Sequence, residues 1–158
     1  MKTHQNKFNK IITIDKANLS ELTDKYMFYC LVLDELAFLK YYKKSNEPIS
    51  SSALQKRVFG KMSFGLMNTP IAQLDIWLVD MQFMKLLSIS FSRDHSQLII
   101  NNLTENGEIA YQNQTYHQIY ANLVAAKRSR ILTVVTIVLS FISLVVAVIS
   151  LIMSLSCK

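Results

Sequence analysis

Two groups of residues in this 158-residue chain have types and spacings that could do chemistry, and a third marks where they would act. Lys56, Arg57 and Lys61, followed by Asn68, Gln73 and Arg93, combine cations with amides. Cations on phosphates supply much of the affinity for nucleic acid, and Asn or Gln reads adenine edges, so these six are the candidate nucleic-acid contacts. Thr133, Thr136, Ser140, Ser143, Ala147, Ser150 and Ser154 form the second group, at alternating spacings of 3 and 4 in a run otherwise built from Ile, Leu, Val, Phe and Met. Lys127, Arg128 and Arg130 stand directly before that run.

Catalysis finds little to work with. Gly60, Gly65 and Gly107 are the only glycines, so no phosphate-cradling loop can be written. His4, His95 and His117 are scattered without metal-ligand spacing, and neither Cys30 nor Cys157 has a neighbouring base. The carboxylates show no pairing suited to acid–base work. The expectation is a protein that is not an enzyme and takes no metal or cofactor.

The apolar run explains its own stripe. Residues 131–155 contain no charge, glycine or proline, and as a helix they span roughly 37 Å against a bilayer core of about 30 Å. Small residues every 3.5 positions form a heptad seam, along which a second helix can approach closely in lipid. A 3.5-residue repeat implies left-handed, shallow-angle packing. The competing reading has each hydroxyl bonding its own i−4 carbonyl. The seam is taken as the transmembrane association surface of a homodimer or small homo-oligomer, or as the docking line for a protein partner in the membrane.

Three cations before the span and Lys158 after it place the N-terminal part in the cytosol under the positive-inside rule. The net charge of +6 is therefore mostly an anchor signal. Residues 1–126 carry thirteen Lys and Arg against eleven Asp and Glu. A soluble part of that size is one domain with its own core. Two cysteines in different environments suggest no intrachain disulfide, as in a reducing compartment.

Four segments follow. Residues 1–17 read as a basic flexible arm with Lys2, Lys7, Lys10 and Lys16. Asn18 and Glu21 have capping-box spacing and open a helix to about Lys44. That helix is apolar on most sides, which suggests a dimer contact beside the core contact. One of Ser50, Ser51 and Ser52 caps a helix from Ala53 to about Phe59, and Gly65 marks a turn. Thr69 and Pro70 open a third helix to about Leu87, with Ile71, Leu74, Trp77 or Leu78, Met81 and Phe83–Met84 as its apolar face. Strand candidates Leu87–Phe91 and Gln97–Asn101 flank a turn, and Thr104 caps a helix from Glu105. Asn113 and Gln114 interrupt it. Residues 116–130 form a linker helix leading into the span.

The stretch from about Ser50 to Ala110 resembles winged-helix regulators of the PadR and MarR type. Leu54-Gln55-Lys56-Arg57-Val58, Met84-Lys85-Leu86-Leu87-Ser88-Ile89 and Leu103-Thr104-Glu105-Asn106-Gly107-Glu108 carry the resemblance. The last is similar to the family's Leu-Thr-x-x-Gly ending, in which the Thr starts a helix and the Gly lets it pass near the hairpin. The resemblance implies a mainly α fold with a small β-hairpin, a winged helix-turn-helix over residues 18–115, followed by one C-terminal transmembrane helix. It says little about the task, because winged helices also bind proteins. DNA remains a disfavoured partner, since the third helix offers Asp75 and Asp80 against a late Lys85.

The expectation is a single-pass, tail-anchored protein of a bacterial inner membrane, whose cytosolic domain is a sensing or adaptor module. Two alternatives stay open. One is a membrane-bound DNA-binding regulator; the other is a membrane-perturbing effector of a bacterial conflict (phage-defence) system.

Overall fold

The computed structural model describes residues 16–45, 47–62, 64–92 and 97–156. Its described elements are α1 (Lys16–Tyr41), β1 (Ile49–Ser50), α2 (Ser51–Phe59), α3 (Phe64–Met67), α4 (Ile71–Phe83), β2 (Leu87–Phe91), β3 (Leu98–Leu103), α5 (Glu105–Gln112) and α6 (Thr115–Ser156). Packing divides the chain into two units, Met1–Leu123 and Val124–Lys158.

Helix α1 organises the first unit because apolar residues cover most of its circumference. Phe28, Tyr29, Val32, Leu33, Leu36 and Ala37 are buried, and α2, α3, α4, β3 and α5 all pack on α1. The apolar surplus that suggested a dimer contact is thus taken up inside the chain, leaving Phe38 and Tyr41 as the exposed large apolar residues of α1. The helix already runs at Lys16, so Asn18 lies inside it and does not cap it. It ends at Tyr41, ahead of Lys44, whose φ of 51° no helix accepts. Residues 1–15 of the expected basic arm lie outside the described residues.

Ser50 caps α2 by accepting the Ala53 amide at 3.3 Å. Gly65, expected as a turn, falls within the single turn of α3. In α4, Pro70 occupies the N-cap position without a side-chain bond, so Thr69 is not the cap. The helix stops at Phe83, short of the expected Leu87. Lys85 adopts φ 57°, its amide reaches Gln82 O at 2.8 Å, and the Leu86 amide reaches Met81 O at 2.9 Å. That is a Schellman ending with lysine where glycine is usual, and Met81 and Leu86 are both buried beneath it.

The expected hairpin is two-thirds of the sheet. β2 and β3 pair antiparallel from Leu87↔Leu103 to Phe91↔Leu98, with an irregularity between Ser88 and Ile89. β1 adds a third strand through Ile49↔Ile100 and Ser50↔Ile99, giving the order β1-β3-β2. Two residues are too few for a period-2 pattern, so β1 leaves no trace in the sequence.

Thr104 caps α5 by accepting the Gly107 amide at 3.2 Å, while its hydroxyl donates to Lys85 O. The start of α5 thereby lies directly on the Lys85–Leu86 backbone. Gln114, with φ 52°, separates α5 from α6. Tyr116 joins Tyr26 and Tyr29 in a triad with ring centroids 5.6–6.1 Å apart, and His117 Nε2 meets Asp34 Oδ1 at 3.0 Å. The first residues of α6, assigned to a linker from sequence, therefore pack on α1. Further along, α6 is the one helix among the described residues long and apolar enough to cross a membrane, with a mean hydropathy of 2.9.

Candidate functional site

Of the candidate nucleic-acid contacts that are described, Arg57 and Lys61 lie beside a carboxylate. Glu35 is buried in the apolar face of α1, and a carboxylate held there needs cations. Arg57 Nη1 stands 3.5 Å from Glu35 Oε1, and Lys61 Nζ stands 3.2 Å from Oε2. Arg57 lies in the last turn of α2 and Lys61 just past its Gly60 end, and both reach the same carboxylate. Two of the candidate cations thus serve an internal charge, while Lys56 is exposed. Asp34 and Glu35, two acidic residues inside the apolar stretch Leu31–Leu39, were the sequence signal for this pairing.

Acidic groups dominate around the start of α4. Asn68 and Gln73 border a shallow hollow of about 380 Å³ whose other walls include Glu21 and Asp24. Along α4, Asp75 accepts a hydrogen bond from Gln55 Nε2 at 2.9 Å, and Asp80 pairs with Lys25 at 2.6 Å. Arg93, the expected contact at the hairpin tip, lies outside the described residues.

The outward face of α4 is apolar. Its core stripe consists of Leu74, Trp77, Leu78 and Met81, all buried. Ile71, Phe83 and Met84, assigned to that stripe from sequence, are instead exposed, Phe83 by 82%. The two stripes lie side by side on a helix that is mostly apolar, and only the neighbouring elements decide which one is covered. Ile71, Ile76, Val79 and Phe83 line a groove of about 650 Å³ together with Phe91 and Leu98 from the strand pair. Asp75 and Asp80 also line it, with Ser51, Ser52, Gln55 and Gln97 as its remaining polar walls. No cation lines this groove among the described residues. Contiguous exposed apolar surface of this kind marks an interaction site.

Two buried titratable groups are shifted among the described residues. Burial, reinforced by the Asp34 charge, pushes the Cys30 thiol up to about 12. It stays protonated and is no nucleophile. The Tyr29 hydroxyl titrates well above the ordinary phenol range, chiefly through burial. No group of three or more His, Cys, Asp or Glu suited to a metal exists among the described residues. His4, His95 and Cys157 lie outside them.

In the second unit, Thr133, Thr136 and Ser143 donate to the carbonyls of Ser129, Leu132 and Leu139 at 3.0, 2.9 and 2.9 Å. Each hydroxyl hydrogen is thus used within its own helix, and the stripe at these positions offers small volume more than free donors. The side chain of Ser154 lies outside the described residues, and Lys127, Arg128 and Arg130 are exposed ahead of the span.

No family model matches this chain, and neither does any curated protein or solved structure.

Proposed function

We propose that this chain is a membrane-anchored, non-enzymatic adaptor whose first unit is a winged-helix module that binds protein, with α4 and the strand pair as its contact face. One observation carries the reading. The face that a DNA-reading helix would fill with cations and amides instead carries Ile71, Ile76, Val79 and Phe83 beside Asp75 and Asp80. Phosphates would meet two carboxylates and apolar side chains there, and DNA affinity depends on cations. Arg57 and Lys61, which the DNA-binding alternative needs, neighbour Glu35.

Support for the winged-helix reading comes from the element order and from β1 beside β3. The junction adds more: Thr104 caps α5 and Gly107 lies against the backbone before β2, the roles the Leu-Thr-x-x-Gly resemblance implies. The anchor is the apolar part of α6, with Lys127, Arg128 and Arg130 on the cytosolic side. The stripe from Thr133 to Ser154 associates two copies, or one copy and a partner span. A bacterial inner membrane is the setting this arrangement suits.

The test is DNA retention by the full chain in zwitterionic nanodiscs, titrated with genomic fragments from 50 to 200 mM salt. Absent or weak, indiscriminate binding is expected. Tight, fragment-selective binding with a steep salt slope would replace the adaptor reading with a membrane-bound transcription regulator.

A further inference from the structure

The open apolar face of α4 extends beyond its groove. A second hollow, of about 460 Å³, lies toward α2 and α3, walled by Phe59, Met67 and Leu74 with Ser52, Gln55 and Lys56. Ile71 lines both hollows, as do Ser52 and Gln55, so the two form one surface with Ile71 at its middle. Phe59 and Met67 lie on one side of Ile71, and Ile76 and Phe83 lie on the other.

We infer that this surface seats the same surface of a second copy of the chain, about a two-fold axis passing near Ile71. The inference rests on the protein-contact reading of α4 and names the protein it binds.

The area fits such a pair. Phe59, Met67, Ile71, Ile76 and Phe83 are between 44% and 82% exposed. With about 150–250 Å² for an aromatic side chain and somewhat less for Ile and Met, they present roughly 500 Å² of apolar surface. Homodimer interfaces are about 65% apolar, which puts the whole patch near ~800 Å² per copy and ~1,600 Å² for the pair. That is the standard size of a specific, stable interface. Residues 93–96 lie outside the described residues, and neither they nor Phe91 beside them enter this area.

The shape fits as well. A two-fold contact is isologous, so what protrudes at one end must find a recess at the other. Phe83 stands out at one end, and the 460 Å³ hollow, floored by the buried Leu74, lies at the other. An axis near Ile71 turns Phe83 of one copy toward that hollow of the other. Asp75 and Asp80 already have partners within the chain, Gln55 at 2.9 Å and Lys25 at 2.6 Å, so neither enters the contact unsatisfied. Anchoring supplies the concentration. Two copies joined along the α6 stripe hold their first units at an effective concentration on the order of 1 mM, so a face with a Kd near ~0.1 mM is closed about nine-tenths of the time.

The experiment uses the full chain, two copies to a nanodisc, with Cys157→Ser to remove one thiol and Ile71→Cys to report on the axis. Cys30 is buried and protonated, so it stays silent. A disulfide needs Cα atoms within about 7 Å, so oxidation joins only positions close to the axis. Asn106→Cys, exposed on α5, measures random encounter. The Ile71→Cys chain should cross-link at least about tenfold faster.

Phe83→Asp and Phe59→Asp attack the two ends of the face at exposed positions, and Trp77 fluorescence checks that both chains fold. Loss of a central contact weakens such a face by about thirtyfold, which lowers closure from about nine-tenths to about a quarter and slows cross-linking about fourfold. Cross-linking at the Asn106→Cys rate would overturn the inference, as would fast cross-linking that neither substitution slows. Either result leaves α4 as a face for a different protein, because only salt-steep DNA retention removes the protein-contact reading.

Discussion

Gly107→Ala should destabilise the first unit, although helix propensity predicts the opposite. Gly107 lies within α5, where alanine alone would gain about 1 kcal/mol. A Cβ built there stands 2.1 Å from Leu86 O, 3.1 Å from Leu86 C and 3.2 Å from Leu103 Cδ2. Ordinary C···O approach is about 3.3 Å, so helix and strand must part by roughly 1 Å. Both partners are backbone; two hydrogen bonds hold them together and a third caps the helix at the same point. Thr104 N donates to Leu86 O at 3.1 Å, the Thr104 hydroxyl donates to Lys85 O, and the Gly107 amide donates to the Thr104 hydroxyl at 3.2 Å. Forced overpacking costs about 1–3 kcal/mol, and weakening the cap about 1 kcal/mol more. After the propensity gain, a net loss of about 1–3 kcal/mol remains.

Gly60 supplies the control, since nothing lies within 4 Å of its would-be Cβ and its φ is −66°. Gly60→Ala should therefore stabilise by about 0.4–1 kcal/mol through the unfolded state. Trp77, the single tryptophan, is buried and reports unfolding of this unit. Urea titration of the full chain in mild detergent should move the midpoint down by about 1 M for Gly107→Ala, with an unchanged slope near ~2 kcal/mol/M. A Gly107→Ala chain as stable as the parent, or a Gly60→Ala chain that falls with it, would refute the steric reasoning.

Three further outcomes are expected. Cys30, with its thiol pushed up to about 12, should resist maleimide at pH 8 in the folded chain and react only after urea unfolding. The Lys40 ammonium first, then the Tyr41 hydroxyl, holds the Glu108 carboxyl below the usual carboxylate range. This stabilisation is present above the ordinary carboxylate pKa and is lost as pH falls through the lower folded value. Glu108→Gln should therefore lose about 0.5 kcal/mol at pH 7, as expected of a screened surface pair, and the gap between the two chains should close in strong acid, read by the same urea titration. Ser140→Leu with Ser143→Leu should weaken self-association in a membrane reporter assay, and unchanged association would dispose of the stripe as a contact.

Much of the fold was legible because local rules governed it. The apolar run of α6, the Ser50 and Thr104 caps and the break at Gln114 each depend on residues close in sequence. The strands β2 and β3 alternate well enough to be seen. Helix ends were less legible: Lys44 and Lys85 adopt left-handed backbone without being glycine, and the second is fixed by the Met81–Leu86 closure of a Schellman turn.

The candidate site was the least legible part. Periodicity identifies apolar stripes but cannot rank two that share one helix. Leu74, Trp77, Leu78 and Met81 went inside, while Ile71, Ile76 and Phe83 stayed out. Charge counting likewise saw Arg57 and Lys61 without seeing Glu35, which comes within 3.5 Å of both only when α2 packs on α1. By itself the sequence determined an apolar run long enough to cross a membrane and a small, mostly helical domain ahead of it. Only the tertiary structure decided which cations are spent and which apolar face is open, because burial and pairing belong to neighbours that the chain brings from far along its length.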